Sequence, residues 1–342
     1  MSGPDRALDS FVDDLRRAFE QADASVPARD WRLRVARRPL RLRIAGDELG
    51  RRLAPALEHL AGDASVAPAS LTVSCWDRTA TGVPPPPPPW PLDALLPGER
   101  IRGHARDRIR VTYDSWMRML CVYEREAGDA YVTVATAADV PPWVDRAPLR
   151  GILTWWASDL DAAFLHASAV GHRDGALVIA GASSSGKSTT AMACLADGTG
   201  FIGDDACVVR VDDGPMVFSV YGRAKLERDA FARLPALGDV ALDVTADPVV
   251  LDPTGCLVPE APLRAVLLPC LAGGERSRLT PVRPSDARRA LVHGSLHEDG
   301  VAGGAGLGTL TRLAANVPCY RLDLGTDLRN VAATVRSVLE AA

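Results

Sequence analysis

Lysine is nearly missing from this chain: of 39 basic residues in 342, only Lys187 and Lys225 are lysines. A GC-rich genome favours arginine wherever any cation will serve, so a surviving lysine is a candidate for a place that needs a compact ammonium. A basic excess is missing too. The formal net charge is −4, which argues against nucleic acid as a partner. No apolar run approaches the roughly 18 residues of a membrane-spanning helix, and no membrane association is expected. The seven cysteines are odd in number, scattered and never spaced as CxxC. That predicts neither a disulfide framework nor a zinc site and points to a reducing, cytoplasmic setting. The N-terminal stretch mixes acidic and basic residues, with Leu8, Phe11, Val12, Leu15 and Phe19 on one helical face. It reads as an amphipathic helix and not as a signal peptide.

What remains is ordinary globular material, 47% hydrophobic and 24% charged, in a length that suits two domains. Six consecutive prolines, Pro84–Pro89, lead into Trp90. They predict an extended polyproline segment, read as an internal spacer or surface loop in preference to a ligand for a proline-binding module. Alternating apolar residues predict strands at Leu40–Ile44, Leu71–Cys75, Ile109–Tyr113, Met117–Tyr123 and Tyr131–Val134. A helix is expected over Glu48–Leu60, with Pro55 inside it. Residues 1–145 therefore read as a smaller mixed α/β domain, a candidate for acceptor binding or regulation.

Residues 146–342 read as a second α/β domain. Pro148 opens a helix with Leu149, Ile152, Leu153 and Trp156 on one face. Strands are expected at Ala163–Val170, Ala176–Ala180, Phe201–Gly203, Cys207–Val211, Met216–Val220 and Val266–Leu268. Helices are expected over Ser188–Ala196, stopped by Gly198, and over Leu328–Leu339.

Gly181-Ala-Ser-Ser-Ser-Gly186-Lys187-Ser188 matches G-x-x-x-x-G-K-[ST] in full, between an apolar strand and a helix. The glycines allow the tight turn that aims backbone N–H groups at phosphate oxygens, and the helix adds its positive N-terminal dipole. Gly181, Ser183, Ser184, Ser185, Gly186, Lys187, Ser188 and Thr189 are the candidate nucleotide-binding residues, for ATP with Mg2+. Lys187 would reach the β/γ phosphates and Ser188 the magnesium.

One helix downstream, Phe201-Ile-Gly-Asp204-Asp205 ends an apolar strand in two carboxylates. At the nucleotide edge, two aspartates can divide metal holding and activation of a nucleophile between them. By contrast, Asp212-Asp213-Gly214 reads as a plain hairpin turn. His166 lies on the strand just before the one that leads into the phosphate loop, and is expected near the same edge. Lys225 follows the Met216–Val220 strand, whose C-terminal end is expected to carry its ammonium toward the site.

His166-Ala-Ser168, the phosphate loop and Gly203-Asp204-Asp205 together are similar to the catalytic core of HPr kinase/phosphorylase. More closely, they resemble the HPr-kinase-like serine kinases found beside peptide-modifying enzymes in bacterial gene clusters. The resemblance is clearest over residues 150–225. It continues through Tyr221-Gly-Arg-Ala-Lys225-Leu, Pro262-Leu-Arg264-Ala-Val-Leu and Val317-Pro-Cys-Tyr320-Arg-Leu, and residues 1–145 look like the N-terminal part of the longer members. It implies an HPr-kinase-like P-loop fold for residues 146–342. In that fold Asp204 takes the acceptor's proton, Asp205 supports magnesium together with Ser188, and His166 orients Asp204. The bifunctional enzymes also carry an Arg-Gly-x-Gly signature, where this chain has Gly222-Arg-Ala-Lys225. Neither phosphorolysis nor HPr as substrate is therefore expected.

The reading that follows is an ATP- and Mg-dependent kinase with an alcohol acceptor, Ser or Thr of a peptide such as a lasso-peptide precursor. The alternatives are a kinase of a small hydroxylated metabolite, a sugar or aminoglycoside, and a nucleotide-sensing regulatory protein. The expected partners are a nucleotide and a hydroxyl acceptor, and homo-oligomerisation stays open.

Overall fold

The computed structural model describes residues 3–62, 68–90, 100–105, 108–299 and 304–341. The chain divides into two compact units, Met1–Ile152 and Leu153–Ala342.

The first unit begins with α1 (Gly3–Ser25) and continues through β1 (Arg29–Val35), β2 (Arg38–Ala45), α2 (Asp47–Leu53), β3 (Leu71–Asp77) and α3 (Arg78–Thr81). It goes on with β4 (Arg100–Ala105), β5 (Ile109–Asp114), β6 (Met119–Glu124), β7 (Asp129–Val134) and α4 (Pro142–Arg146), and α5 (Arg150–Asp159) spans the boundary. Seven strands form one sheet in the order β1-β2-β3-β7-β6-β5-β4. The pairs β2–β3 and β3–β7 are parallel and the others antiparallel. The apolar face expected on α1 is buried: Leu8, Phe11, Val12, Leu15 and Phe19 pack with Trp76, Val111, Val122 and Tyr131 of the sheet.

Two expectations for this unit need correction. The Glu48–Leu60 helix stops at Leu53, because Pro55 has no N–H to give the carbonyl of Arg51; only a 3-10 turn, Glu58–Leu60, follows. The helix expected at Pro148 starts at Arg150, after Leu149 takes a left-handed φ of 59°. The proline run is tied down at both ends within the unit. Trp76 Nε1 donates to the Val83 carbonyl at 3.0 Å, and Trp90 meets Phe11 edge-on at 5.1 Å.

The second unit holds β8 (Ala163–Leu165), β9 (Ala167–His172), β10 (Gly175–Ala180), α6 (Lys187–Ala196), β11 (Gly200–Gly203), β12 (Cys207–Arg210), β13 (Met216–Phe218) and β14 (Ala224–Leu226). There follow α7 (Arg228–Ala232), β15 (Ala241–Asp243), β16 (Val249–Leu251), β17 (Glu260–Leu271), β18 (Arg278–Pro281), α8 (Pro284–Asp299), α9 (Gly304–Asn316), β19 (Cys319–Leu324) and α10 (Leu328–Ala341). The main sheet runs β11-β9-β10-β17-β13-β12-β8, with β19 also on β17 and β18 on β19. The long β17 serves three partners: Leu263–Leu267 pairs with β10, Glu260–Pro262 with β13, and Val266–Leu271 with β19. A small sheet, β14-β16-β15, stands apart.

The alternation of β10 explains the layering. Leu177 and Ile179 join a core with α6 and α10, while Ala176, Val178 and Ala180 join another with α8 and α9. A strand covered on both faces reads as an uninterrupted apolar run, as Ala176–Ala180 does. The single strand expected over Ala163–Val170 is two strands broken at His166, since β8 pairs with β12 and β9 with β10 and β11. The strand expected over Met216–Val220 ends at Phe218. Val266–Leu268 lies inside the longer β17.

Ile179→Ala removes a fully buried side chain from the core shared with α6 and α10. It is expected to lower the unfolding free energy in urea by about 2–5 kcal/mol. Leu271→Ala, at a residue 71% exposed, should stay within about 0.5 kcal/mol. Equal effects of the two changes would contradict this packing.

Candidate functional site

Sheet topology brings three separate segments to one edge. Strand β9 is antiparallel to both of its neighbours, with Ala180 opposite Ala167 and Gly203 opposite Ala169. The C-terminal ends of β10 and β11 and the N-terminal end of β9 therefore lie together. Gly181 follows the first, Asp204 the second, and His166 precedes the third. His166 is 6% exposed and sits where the chain switches partners between β8 and β9.

Residues 181–186 connect β10 to α6. Gly186 is the N-cap residue at φ 98°, where a Cβ would also meet Leu324 Cδ1 at 2.5 Å, so only glycine fits. No side chain caps α6. Its first N–H groups and its dipole are thus left to an outside acceptor. Lys187 is 6% exposed, and its Nζ donates to the carbonyls of Gly181 and Ala182, both at 3.0 Å. The hydroxyl of Ser185 is buried without a hydrogen-bond partner among the described residues. Ser183 and Ser184 are exposed in the loop, and Ser188 and Thr189 are half-buried in the first turn of α6.

The turn after β11 is tight: a Cβ on Gly203 would strike the Ala206 carbonyl at 2.5 Å. Asp205 adopts a left-handed φ of 62°, which aspartate tolerates better than most residues. Asp204 is 2% exposed. Ser168 Oγ donates to its Oδ1 at 2.7 Å, the Lys225 backbone N–H donates to Oδ2 at 3.2 Å, and the Ser188 hydroxyl also bonds to it. Burial and then the neighbouring Asp205 push the Asp204 carboxyl above the ordinary carboxylate range, against the pull of those three hydrogen bonds.

Lys225 reaches this edge by a route the sequence did not suggest. It lies on β14, bonded to β16, and not at the end of the Met216 strand. Ala224 and Leu226 on either side are buried in the core that includes α6. Its own Nζ forms an ion pair with Asp205 Oδ2 at 2.8 Å. Nearby on the same stretch, Arg223 pairs with Asp252 at 2.5 Å.

Asp204, Ser188 and Lys225 are thus in direct contact, with Asp205 bound through Lys225. Ser168 was quoted in the sequence motif but given no role there. Its signal was its place in the His166-Ala-Ser168 motif, where it falls at the start of β9. Among the described residues no three His, Cys, Asp or Glu side chains gather as a metal site. Magnesium does not demand such a cage, since it keeps several waters and takes one or two protein oxygens plus phosphate oxygens. The uncapped helix start, the orphaned Ser185 hydroxyl and the adjacent carboxylates fit a magnesium-bound polyphosphate.

No protein-family model matches the chain. No curated protein matches it in sequence either. Among solved structures it is similar to the Hpr(Ser) kinase/phosphatase from Coxiella burnetii, at 12% identity and a TM-score of 0.30. That similarity covers 52% of this chain and 88% of the other. At this distance nothing about substrate or activity follows from it.

Proposed function

We propose that the chain is an ATP- and Mg2+-dependent kinase that transfers the γ-phosphoryl group to a hydroxyl, on Ser or Thr of a peptide such as a lasso-peptide precursor. The observation that carries this reading is the buried Asp204 carboxylate, held at the edge of the phosphate loop and bonded to Ser188 of that loop. A protein that only sensed nucleotide would have no use for a carboxylate with a raised proton affinity at this point. The peptide acceptor is supported by the resemblance of the His166, Gly181–Ser188 and Gly203–Asp205 segments to the serine kinases of peptide-modifying clusters.

Each residue has a task in this reading. The α6 amides and Lys187 bind the phosphates, with the Lys187 ammonium leaving the two loop carbonyls to do so. Ser188 and Asp205 hold Mg2+, which when bound neutralises charge on the transferring group. Asp204 accepts the acceptor's proton, and His166 orients it. Lys225 stands ready to stabilise the phosphoryl group in flight or an anionic part of the acceptor, once released from Asp205.

Lys187→Ala is expected to weaken ATP·Mg2+ binding in calorimetric titration and to abolish transfer of radiolabelled phosphate to a serine-peptide array. Unchanged affinity and turnover would remove the loop from the site.

Asp204→Asn keeps the shape of the side chain but cannot take a proton. ATP affinity should hold while transfer falls by about 10²–10⁴-fold. The wild-type acid limb should lie above the usual carboxylate range of about 4, because a raised pKa protonates the base earlier as pH falls. A rate flat down to pH ~4, or a mutant with near-wild-type turnover, would exclude Asp204 as base.

Lys225→Arg keeps the charge but replaces a point ammonium with a wide planar fork. Turnover should drop about tenfold or more with little change in ATP affinity. Wild-type kinetics in this variant would leave Lys225 as a structural partner of Asp205 alone.

A further inference from the structure

The first unit contains a cavity that phosphoryl transfer does not use. It measures about 210 Å3, and its walls include Pro85, Pro86 and Pro88 of the proline run together with Trp90, Tyr113 and Leu120. Flat rings and a branched aliphatic side chain suit an apolar group of ring size. Polar groups interrupt this apolar lining. Thr133 lines the cavity, is 2% exposed, and its hydroxyl has no hydrogen-bond partner among the described residues. Arg78 lines it too, and its Nε is buried and equally without a partner.

A second, more open cleft of about 270 Å3 shares Arg78 and Arg118 with the first. Several other arginines in this unit are matched with an acid, as Arg52 is with Asp145 and Arg43 with Asp23. Arg78 and Arg118 have no ion pair among the described residues. The open cleft also carries the exposed carboxylate of Asp139. Two guanidinium groups, charged at every accessible pH, thus stand at the junction of an apolar slot and an open polar cleft. Buried polar atoms left unmatched, such as Arg78 Nε and the Thr133 hydroxyl, are uncommon in folded proteins and mark places where a partner belongs.

We propose that this junction is a binding site for a carboxylate carried on an apolar, ring-bearing skeleton. The apolar group fills the slot between the prolines, Trp90 and Tyr113. The carboxylate lies across Arg78 and Arg118, whose planar forks match its two oxygens. Thr133 supplies a hydroxyl to the ligand inside the slot. Such a carboxylate is either the C-terminal residue of a peptide or a free aromatic acid. The site lies wholly within the first unit, so it stands whether or not the second unit is a kinase.

The test uses the full chain and three probes: N-acetyl-Gly-Gly-Phe with a free C-terminus, the same peptide as its C-terminal amide, and 3-phenylpropionate. Binding is read by calorimetry and by saturation-transfer NMR. Saturable binding of the free-acid peptide, at least tenfold tighter than the amide, is expected. If 3-phenylpropionate binds as well as that peptide, the ligand is a small acid; if the peptide alone binds, it is a peptide terminus. Arg118→Gln, at an exposed position, should erase the preference for acid over amide. Thr133→Val, which keeps the side-chain shape, should weaken both by severalfold; thermal melts of both variants report whether the fold is intact. Equal binding of acid and amide, no saturable binding of either acid, or an unchanged preference in a folded Arg118→Gln protein would overturn the proposal.

Discussion

A single buried carboxylate gathers the second unit's site. Asp204 receives hydrogen bonds from Ser168 on β9, from Ser188 on α6 and from the backbone of Lys225 on β14. Three separate elements are locked to one side chain, and each must be in place for that side chain to be satisfied. A carboxylate buried without such partners would protonate or pull the structure open. With them it holds a fixed position, while burial and the neighbouring Asp205 still keep its proton affinity raised. That combination of burial and orientation is what a proton acceptor needs.

The sheet makes this gathering possible. Because β9 runs antiparallel between β10 and β11, the loop after β10 and the acids after β11 emerge at one edge, beside the start of β9. The break at His166 then lets the same stretch of chain feed two parts of the sheet, β8 to β12 and β9 to β10. The apolar cores on either face hold this arrangement rigid, with α6 and α10 on one side and α8 and α9 on the other. Around the loop both ammonium groups have partners: Lys187 the loop carbonyls, Lys225 the Asp205 carboxylate. Both ammonium groups are therefore held in position at the sheet edge.

The first unit shows a different economy of structure. Its proline run is not a free spacer, since Trp76 and Trp90 anchor it to the sheet and to α1. Prolines cannot join the sheet's hydrogen-bond ladder, so the run lies as an extended wall, and a cavity opens between it and the strands. On the same unit, Trp116 and Trp143 stack at 5.6 Å although both are largely exposed. Apolar side chains thus stand at the surface here as well as in the core.

Local chemistry determined much of this from the sequence alone. The Gly181–Ser188 loop was legible because glycine at φ 98° and a lysine at one spacing serve a demand of the backbone itself. The α1 face and the apolar run of β10 were legible because burial imposes a period of 3.6 or fills a strand on both sides. Composition alone singled out Lys225. What composition could not supply was its route: β14 belongs to a small sheet whose existence depends on pairing with β16, more than twenty residues away along the chain. Nor could it show that Ser168 bonds to Asp204, that the strand breaks at His166, or that Arg78 and Arg118 meet at one cavity. Those are contacts between segments distant in sequence, and only the pairing of strands, a property of the whole sheet, brings them within reach.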